Sequence, residues 1–109
     1  MKYLTSLLQI PKDELSKLSY CYHYQKPVSV KAPYCVWQEL GETNFHSDNQ
    51  KSERALEGVV DFYSKTESDP KLDEIEGALV KMGAAWSLTS VMYESESSLI
   101  HHTWNFSVE

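Results

Sequence analysis

The chain has 109 residues, a length typical of one domain, so we expect a single domain over residues 1–109. Ten basic and sixteen acidic side chains give a formal net charge of −6, and Arg54 is the only arginine. Such a chain is poorly suited to bind phosphate backbones, so we expect no nucleic-acid partner. Because no apolar run reaches the ~18–20 residues of a membrane-spanning helix, we also expect no membrane partner.

The acidic excess is confined to the second part of the chain. Residues 1–65 balance eight bases against eight acids, whereas residues 66–109 carry eight acids against two lysines. Two interpretations stay open: a solvated face that keeps the protein soluble, or an electrostatic guide for a basic partner.

The first forty residues predict a helix followed by two strands. Pro11 is expected to end the helix, and PKDELSKL to add another turn with Leu15 and Leu18 facing inward. The aromatic segment SYCYHYQK is typical of a strand, and PYCVWQEL predicts a second strand that stops at Gly41. The apolar face of the first helix is formed by Tyr3, Leu4, Leu7 and Leu8.

Residues 41–53, GETNFHSDNQKSE, are the most polar stretch and show no periodicity. We interpret them as a long, exposed and mobile loop, with Phe45 as its only apolar side chain. Loops of this length are uncommon in small domains and are often functional.

The second half of the chain predicts a strand, a helix and a hairpin. Residues 54–66 alternate as a long strand, in which Gly58 is expected to mark a bulge or bend. Asp69 and Pro70 are a good N-cap and first residue for a helix that ends near Gly83. The apolar stripe of this helix comprises Leu72, Ile75, Leu79 and Met82.

The closing hairpin has two alternating strands around the turn ESES. Trp86, Leu88, Ser90, Met92 and Glu94 are expected on one face of the first strand. The complete order is helix, strand, strand, long loop, strand, helix, strand, strand. This order predicts the α+β class, with a mostly antiparallel β-sheet packed against two helices.

Two histidines and two cysteines are the residues most often associated with chemistry. His101 and His102 are adjacent on a strand, so they face opposite sides and cannot chelate one metal. We expect His102 to pack or hydrogen-bond and His101 to be exposed; a metal site would need His23 or Glu94 as further ligands. We expect Cys21 and Cys35 to be free thiols, although candidate neighbouring strands leave a disulfide open.

Other catalytic signatures are missing from the sequence. There is no GxSxG, no CxxC and no glycine-rich phosphate loop. We therefore expect a protein that is not an enzyme and that needs no cofactor and no metal.

The order of the motifs resembles the tail-completion proteins, also called tail terminators or minor tail proteins, of long-tailed bacteriophages and Gram-positive prophages. The resemblance covers most of the chain, and His102 departs from it where an aromatic residue is expected. It is carried in turn by CYHYQKP, APYCVWQELGETNFHSDNQ, GVVDFYSKTESDPKLDEIEGAL and WSLTSVMYESESSLIHHTWNFSV.

The resemblance implies a non-enzymatic structural protein of the virion tail, assembled in the host cytoplasm. It implies that copies of the chain associate into a ring, expected to be a hexamer, that caps the tail tube and meets the head–tail connector protein. From the polar loop itself we predict Phe45, His46, Asp48 and Asn49 as contact residues for a neighbouring subunit or the tube.

Three alternatives to this function remain open at this point. The first is a head–tail joining protein, and the second is a monomeric, phage-encoded binding module that acts on a host protein. The third is a small enzyme or metal-dependent hydrolase.

Overall fold

The computed structural model describes residues 2–43, 46–47, 50–51 and 54–109. A five-stranded sheet has the order β1-β2-β5-β7-β6 and is antiparallel except for the parallel pair β1–β2. The fold is α+β, with a mostly antiparallel sheet packed against two helices, as predicted. Its elements are α1 (Leu4–Glu14), β1 (Cys21–His23), β2 (Tyr34–Thr43), β3 (His46–Ser47), β4 (Gln50–Lys51), β5 (Ala55–Ser64), α2 (Lys71–Lys81), β6 (Ala85–Glu94) and β7 (Leu99–Val108).

Helix α1 runs through Pro11 instead of ending there, so that prediction was wrong. Proline removes one helical hydrogen bond, but its buried ring extends the apolar face formed by Leu7 and Leu15. Leu15 closes the last turn by donating its backbone N–H to the Pro11 carbonyl at 2.8 Å. The apolar face therefore lies further along the helix than predicted, since Tyr3 and Leu4 are exposed.

Strand β2 does not stop at Gly41 but continues to Thr43. Leu40 is the extra residue of a bulge, because Glu39 pairs with Gly58 and Gly41 already pairs with Glu57. Gly41 adopts φ 153° at this point, a conformation that a side chain would disfavour.

The remainder of the polar segment 41–53 is also not simply a loop. The short strands β3 and β4 pair with each other in an antiparallel ladder. The prediction of one long loop over residues 41–53 was therefore wrong, because backbone hydrogen bonds can pair two strands even where the side chains show no apolar periodicity.

The bulge expected at Gly58 lies beside it but on the partner strand: Gly58 pairs with Glu39 and Phe106, and the extra residue is Leu40 of β2. The role of Gly58 is steric: a Cβ built on it would lie 2.3 Å from the Phe106 ring and 2.9 Å from the Gln38 carbonyl oxygen. The absent side chain makes room for an aromatic ring in the core.

Helix α2 agrees with its sequence signals. The Asp69 carboxylate accepts a hydrogen bond from the Lys71 backbone N–H at 2.9 Å, as an N-cap does. Gly83 ends the helix at φ 69°. The predicted stripe faces the sheet, with Ile75 and Leu79 fully buried.

Strand β6 contains a bulge that the sequence did not predict. Leu88 pairs with Trp104 and Ser90 with Thr103, which leaves Thr89 without a counterpart. The Thr89 hydroxyl lies within hydrogen-bonding distance of the Thr103 carbonyl, at 3.1 Å, and of the Asn105 side-chain oxygen, at 3.0 Å. The extra residue reverses the alternation beyond it, so Glu94 lies on the face opposite to Trp86.

The two faces of the sheet differ, and we name them by their cover. The covered face packs against α1 and α2 around Trp37, Phe62 and Trp104, and it holds the single buried core. The open face carries the alternate residues of each strand, and no described helix packs on it. Four of its members, in the middle of the sheet, are Val59, Asp61, His101 and Thr103.

Candidate interaction surface

The contact residues predicted from the polar segment can be only partly placed. Phe45, Asp48 and Asn49 lie outside the described residues. His46 belongs to β3, where its backbone pairs with Lys51. The proposed contact role of these four residues therefore stays a prediction.

The outer edge of β6, which we call the β6 edge, is a ten-residue margin of the described sheet. β6 pairs with β7 on one side and with no described strand on the other. Its side chains are mostly exposed, and four apolar ones, Leu88, Val91, Met92 and Tyr93, are 46–65% exposed. Glu94 is its only charged residue, and it contains neither lysine nor proline.

This edge is unusual because soluble proteins normally protect their edge strands. Lysine, proline, short length and bulges are the common means of protection. The Thr89 bulge is the one such device in β6, which is otherwise ten residues long. A long, apolar edge of this kind favours pairing with a further strand.

The opposite side of the sheet is also incomplete. β1 is three residues long and pairs only with Cys35, Val36 and Trp37 of β2. Beyond Trp37, β2 pairs with β5 on one side and with no described strand on the other. Leu40 is 57% exposed in this stretch. The described sheet therefore has unpaired backbone at both margins.

A charged cluster on the open face links three strands. The His101 ring places Nε2 2.7 Å from Asp61 Oδ1 and Nδ1 3.2 Å from Glu94 Oε2. Thr103 donates its hydroxyl to Asp61 Oδ1 at 3.0 Å. Both ring nitrogens of His101 thus lie within hydrogen-bonding distance of carboxylate oxygens from two other strands. His101 is half-buried, so the prediction that it is exposed was wrong.

The geometry of this cluster limits its chemistry. A general base needs a ring nitrogen that faces a substrate, but both nitrogens of His101 are engaged by carboxylates. No group of three potential ligands among the described residues is placed to hold a metal ion. The cluster ties β5, β7 and the end of β6 together, and it depends on the Thr89 bulge, which turns Glu94 toward His101.

Aromatic rings continue the open face next to this cluster. Tyr63 stacks on His101 with 4.2 Å between ring centroids, and Tyr34 stacks on Tyr63 at 4.9 Å. The Lys26 ammonium lies 5.0 Å from the centre of the Tyr34 ring. Burial, and then the negative charges of Asp61 and Glu94, raise the pKa of Tyr63 to about 12. Tyr63 therefore stays neutral at physiological pH.

A second aromatic stack lies at the β1 margin. The His23 ring is stacked between Tyr24, at 3.8 Å, and Trp37, at 3.9 Å. Glu39 binds two residues of this stack: it contacts His23 Nε2 at 2.8 Å and accepts a hydrogen bond from the Tyr24 hydroxyl. Burial opposes ionisation of Glu39, yet these two hydrogen bonds hold its pKa below the usual value. His23 is thus engaged at this margin and does not join His101.

His102 occupies the covered face, as its position on the strand predicts. It is 8% exposed and stacks on Trp104 at 5.9 Å between ring centroids. Its Nδ1 is buried without a hydrogen-bond partner in the described chain. Burial, assisted by the neighbouring His101, lowers the pKa of His102, so the ring is neutral at physiological pH.

Some of the acidic residues hold the fold together, a role that differs from both a solvated face and a guide for a basic partner. Glu76 of α2 accepts a hydrogen bond from the buried Trp104 indole N–H at 2.9 Å. Glu74 accepts one from the Tyr20 hydroxyl, and burial together with Glu74 raises the pKa of Tyr20. These acids attach α2 to the rest of the fold.

Sequence reasoning missed the β6 edge and the cluster around His101. The edge could have been noticed from the Ser/Thr-rich and nearly uncharged strand Ala85–Glu94. The cluster had no comparable signal, because Asp61, Glu94 and His101 meet only through strand order and the bulge.

Protein-family models and curated protein sequences show no match to this chain. In the described part of the chain, neither helix is long and apolar enough to cross a membrane.

Proposed function

We propose that this chain is a structural protein of a phage or prophage tail, and that its copies assemble head to tail into a ring. The ring caps the tail tube and presents a surface to the head–tail connector protein. The observation that carries the self-association is the β6 edge, together with the incomplete margin at β1 and β2. The placement in a tail rests on the motif order described above.

Two different unpaired margins suit a closed ring. A ring requires a heterologous contact, in which one patch of each subunit meets a different patch of the next. The β6 edge of one copy can pair with β2 of its neighbour from Gln38 to Gly41, a stretch that has no described strand on its outer side. This pairing continues the sheet from subunit to subunit by backbone hydrogen bonds.

The chemistry of the two margins is compatible with this pairing. A ten-residue strand spans about 33 Å, which provides a long line of backbone donors and acceptors. Pairing would remove apolar surface from contact with water, at Val91 and Tyr93 on one margin and at Leu40 on the other, all of which are exposed in the single chain. Glu94 is the only charged residue of β6, whereas β2 carries Glu39 within the receiving stretch and Glu42 just after it.

The segment with Phe45, His46, Asp48 and Asn49 enters this proposal as a second contact. It follows β2 directly, so it lies next in the chain to the margin that would receive the β6 edge. We propose that it meets the neighbouring subunit or the tail-tube protein. No cofactor or enzymatic step is needed for this function.

The test compares two valine substitutions of equal charge. Val91→Lys places an ammonium on the β6 edge, where lysine is a known means of blocking strand addition. Val80→Lys places the same charge on α2, at a residue that is 63% exposed and belongs to a helix instead of the β6 strand. Native mass spectrometry gives the subunit number of each variant.

We expect wild type and Val80→Lys to form the same closed oligomer and Val91→Lys to remain monomeric with unchanged thermal stability. Added to polymerising tail-tube protein from the same genome, the first two should limit tube length and the third should not. A wild-type chain that stays monomeric and leaves tube length unchanged contradicts the proposal. Specific capture of a host protein by that monomer would instead favour the binding module.

A further inference from the structure

Cys21 and Cys35 face each other in adjacent strands. They are direct partners in the parallel ladder of β1 and β2. Both are free and buried, with exposures of 6% and 0%. Since partner residues in a ladder point to the same face, the two thiols lie side by side on the covered face.

The spacing of these strands is compatible with a bond between the sulfurs. Neighbouring strands lie about 4.7–4.9 Å apart, and the Cα atoms of a disulfide are commonly about 4.4–6.8 Å apart. The Cβ atoms must approach slightly, which a short strand with only one neighbour can allow. β1 has three residues and pairs only with β2.

The surroundings keep the pair reduced until the edge opens. Burial, and then a hydrogen bond with Cys21, raise the pKa of the Cys35 thiol. Only the thiolate attacks a disulfide, so the closed structure disfavours the reaction. Fraying of β1 exposes the thiols to water and to an oxidant, because edge segments with few contacts open most readily.

We propose that Cys21 and Cys35 are a latent intrachain disulfide that forms when the chain meets a small-molecule disulfide, and that it fixes β1 to β2. This inference goes beyond the proposed function and does not depend on it. A chain made in a reducing compartment would carry two thiols, and release into an oxidising environment would convert them.

The chemistry balances with oxidised glutathione as the oxidant. One cysteine loses its proton and attacks a glutathione sulfur, which forms a mixed disulfide and releases one glutathione thiolate. The second cysteine then loses its proton and attacks the protein sulfur of that mixed disulfide, which releases the second glutathione. Two electrons pass to glutathione disulfide, and the two thiol protons end on two glutathione molecules.

The experiment uses the folded chain in buffers that range from reduced to fully oxidised glutathione, followed by alkylation and intact-mass measurement. We expect a monomeric product that has lost two hydrogen atoms and retains no glutathione. Trypsin cleavage after Lys31 separates the two cysteines, so their peptides should stay linked until reduction. The thermal midpoint should rise by roughly 10 °C, because the loop between the cysteines is closed in the unfolded chain.

Cys21→Ala and Cys35→Ala are the controls, and neither should gain stability in oxidised buffer. If the wild-type chain keeps two free thiols in fully oxidised glutathione, the proposal is wrong. The same holds if it retains glutathione on both cysteines, if it forms only disulfide-linked dimers, or if the linked form melts lower than the reduced form. The wild-type measurements decide the matter even if a variant fails to fold.

Discussion

The covered and open faces of β7 place neighbouring histidines in opposite environments. His102 is buried against Trp104, lacks a partner for Nδ1 and is held neutral by burial. His101, one residue earlier, lies between the carboxylates of Asp61 and Glu94. The alternation of side chains along β7 therefore gives two adjacent histidines different roles: His102 packs in the core, and His101 contacts carboxylates on two other strands.

The two faces should therefore respond to different kinds of substitution. The covered face is filled by close packing, so a change in side-chain volume should disturb it most. The open face is partly solvated, so a change in charge or hydrogen bonding should matter there, and by less. The expected effects of substitution below follow this order.

The largest effect should come from the centre of the covered face. Leu79→Ala removes a fully buried side chain, so it should lower the free energy of unfolding by about 2–5 kcal/mol in urea denaturation. The control is Val80→Ala at the next residue, which is mostly exposed and should change it by less than about 0.5 kcal/mol. Similar losses for the two variants would mean that α2 does not pack by its predicted stripe.

The next effect tests the close approach between Gly58 and Phe106. Gly58→Ala forces a methyl group toward the ring and should cost about 1–3 kcal/mol of unfolding free energy. Gly77→Ala on α2 is the matched control, since no atom lies within 4 Å of its added Cβ. It should stabilise the protein by roughly 0.5–1 kcal/mol through helix propensity. Destabilisation by both would point to the backbone instead of the ring.

The titration of His102 should have a smaller effect on the free energy of unfolding. Its pKa is lowered in the folded chain, so below about pH 6.5 the unfolded chain binds more protons and stability falls as the pH falls. His102→Phe removes this group, and its unfolding free energy should depend less on pH between about pH 7.5 and 5. Parallel pH curves for the two proteins would contradict a neutral, buried His102.

The smallest effect on the free energy of unfolding should come from the contact between Asp61 and His101 on the open face. Asp61 and His101 have side chains that are 29% and 20% exposed, so solvent screens their attraction. A double-mutant cycle of Asp61→Asn and His101→Gln should give a coupling of about 0.5–1 kcal/mol in the free energy of unfolding. A coupling as large as the loss from Leu79→Ala would place this cluster among the main sources of stability.

Features with local causes could be predicted from the sequence. Asp69, Pro70 and the stripe that contains Leu79 determine α2 within a few turns of the chain. The strands β5, β6 and β7 follow from alternation, and the closing turn from ESES. The prediction that Pro11 ends α1 failed because burial of the proline ring, a tertiary effect, outweighs the loss of one helical hydrogen bond.

Features that depend on strand register could not be predicted. The bulges at Leu40 and Thr89 depend on how two strands align, and Thr89 lies in a Ser/Thr run with no distinctive signal. The tie between Glu94 and His101 requires that bulge as well as the strand order. The β6 edge could not be predicted without knowing which strand lies outermost in the sheet. The predicted contact at Phe45 stays a prediction.

The bulge at Thr89 also restricts how the length of this hairpin can change in evolution. Deletion of one residue from the second half of β6 would exchange the faces of the side chains between the deletion and the turn. Glu94 would then take the register position of Tyr93, on the face toward the helices, and Tyr93 would take that of Met92, opposite His101. Insertions and deletions in related genes should therefore fall in the turn at residues 95–98, while the strand keeps a constant length.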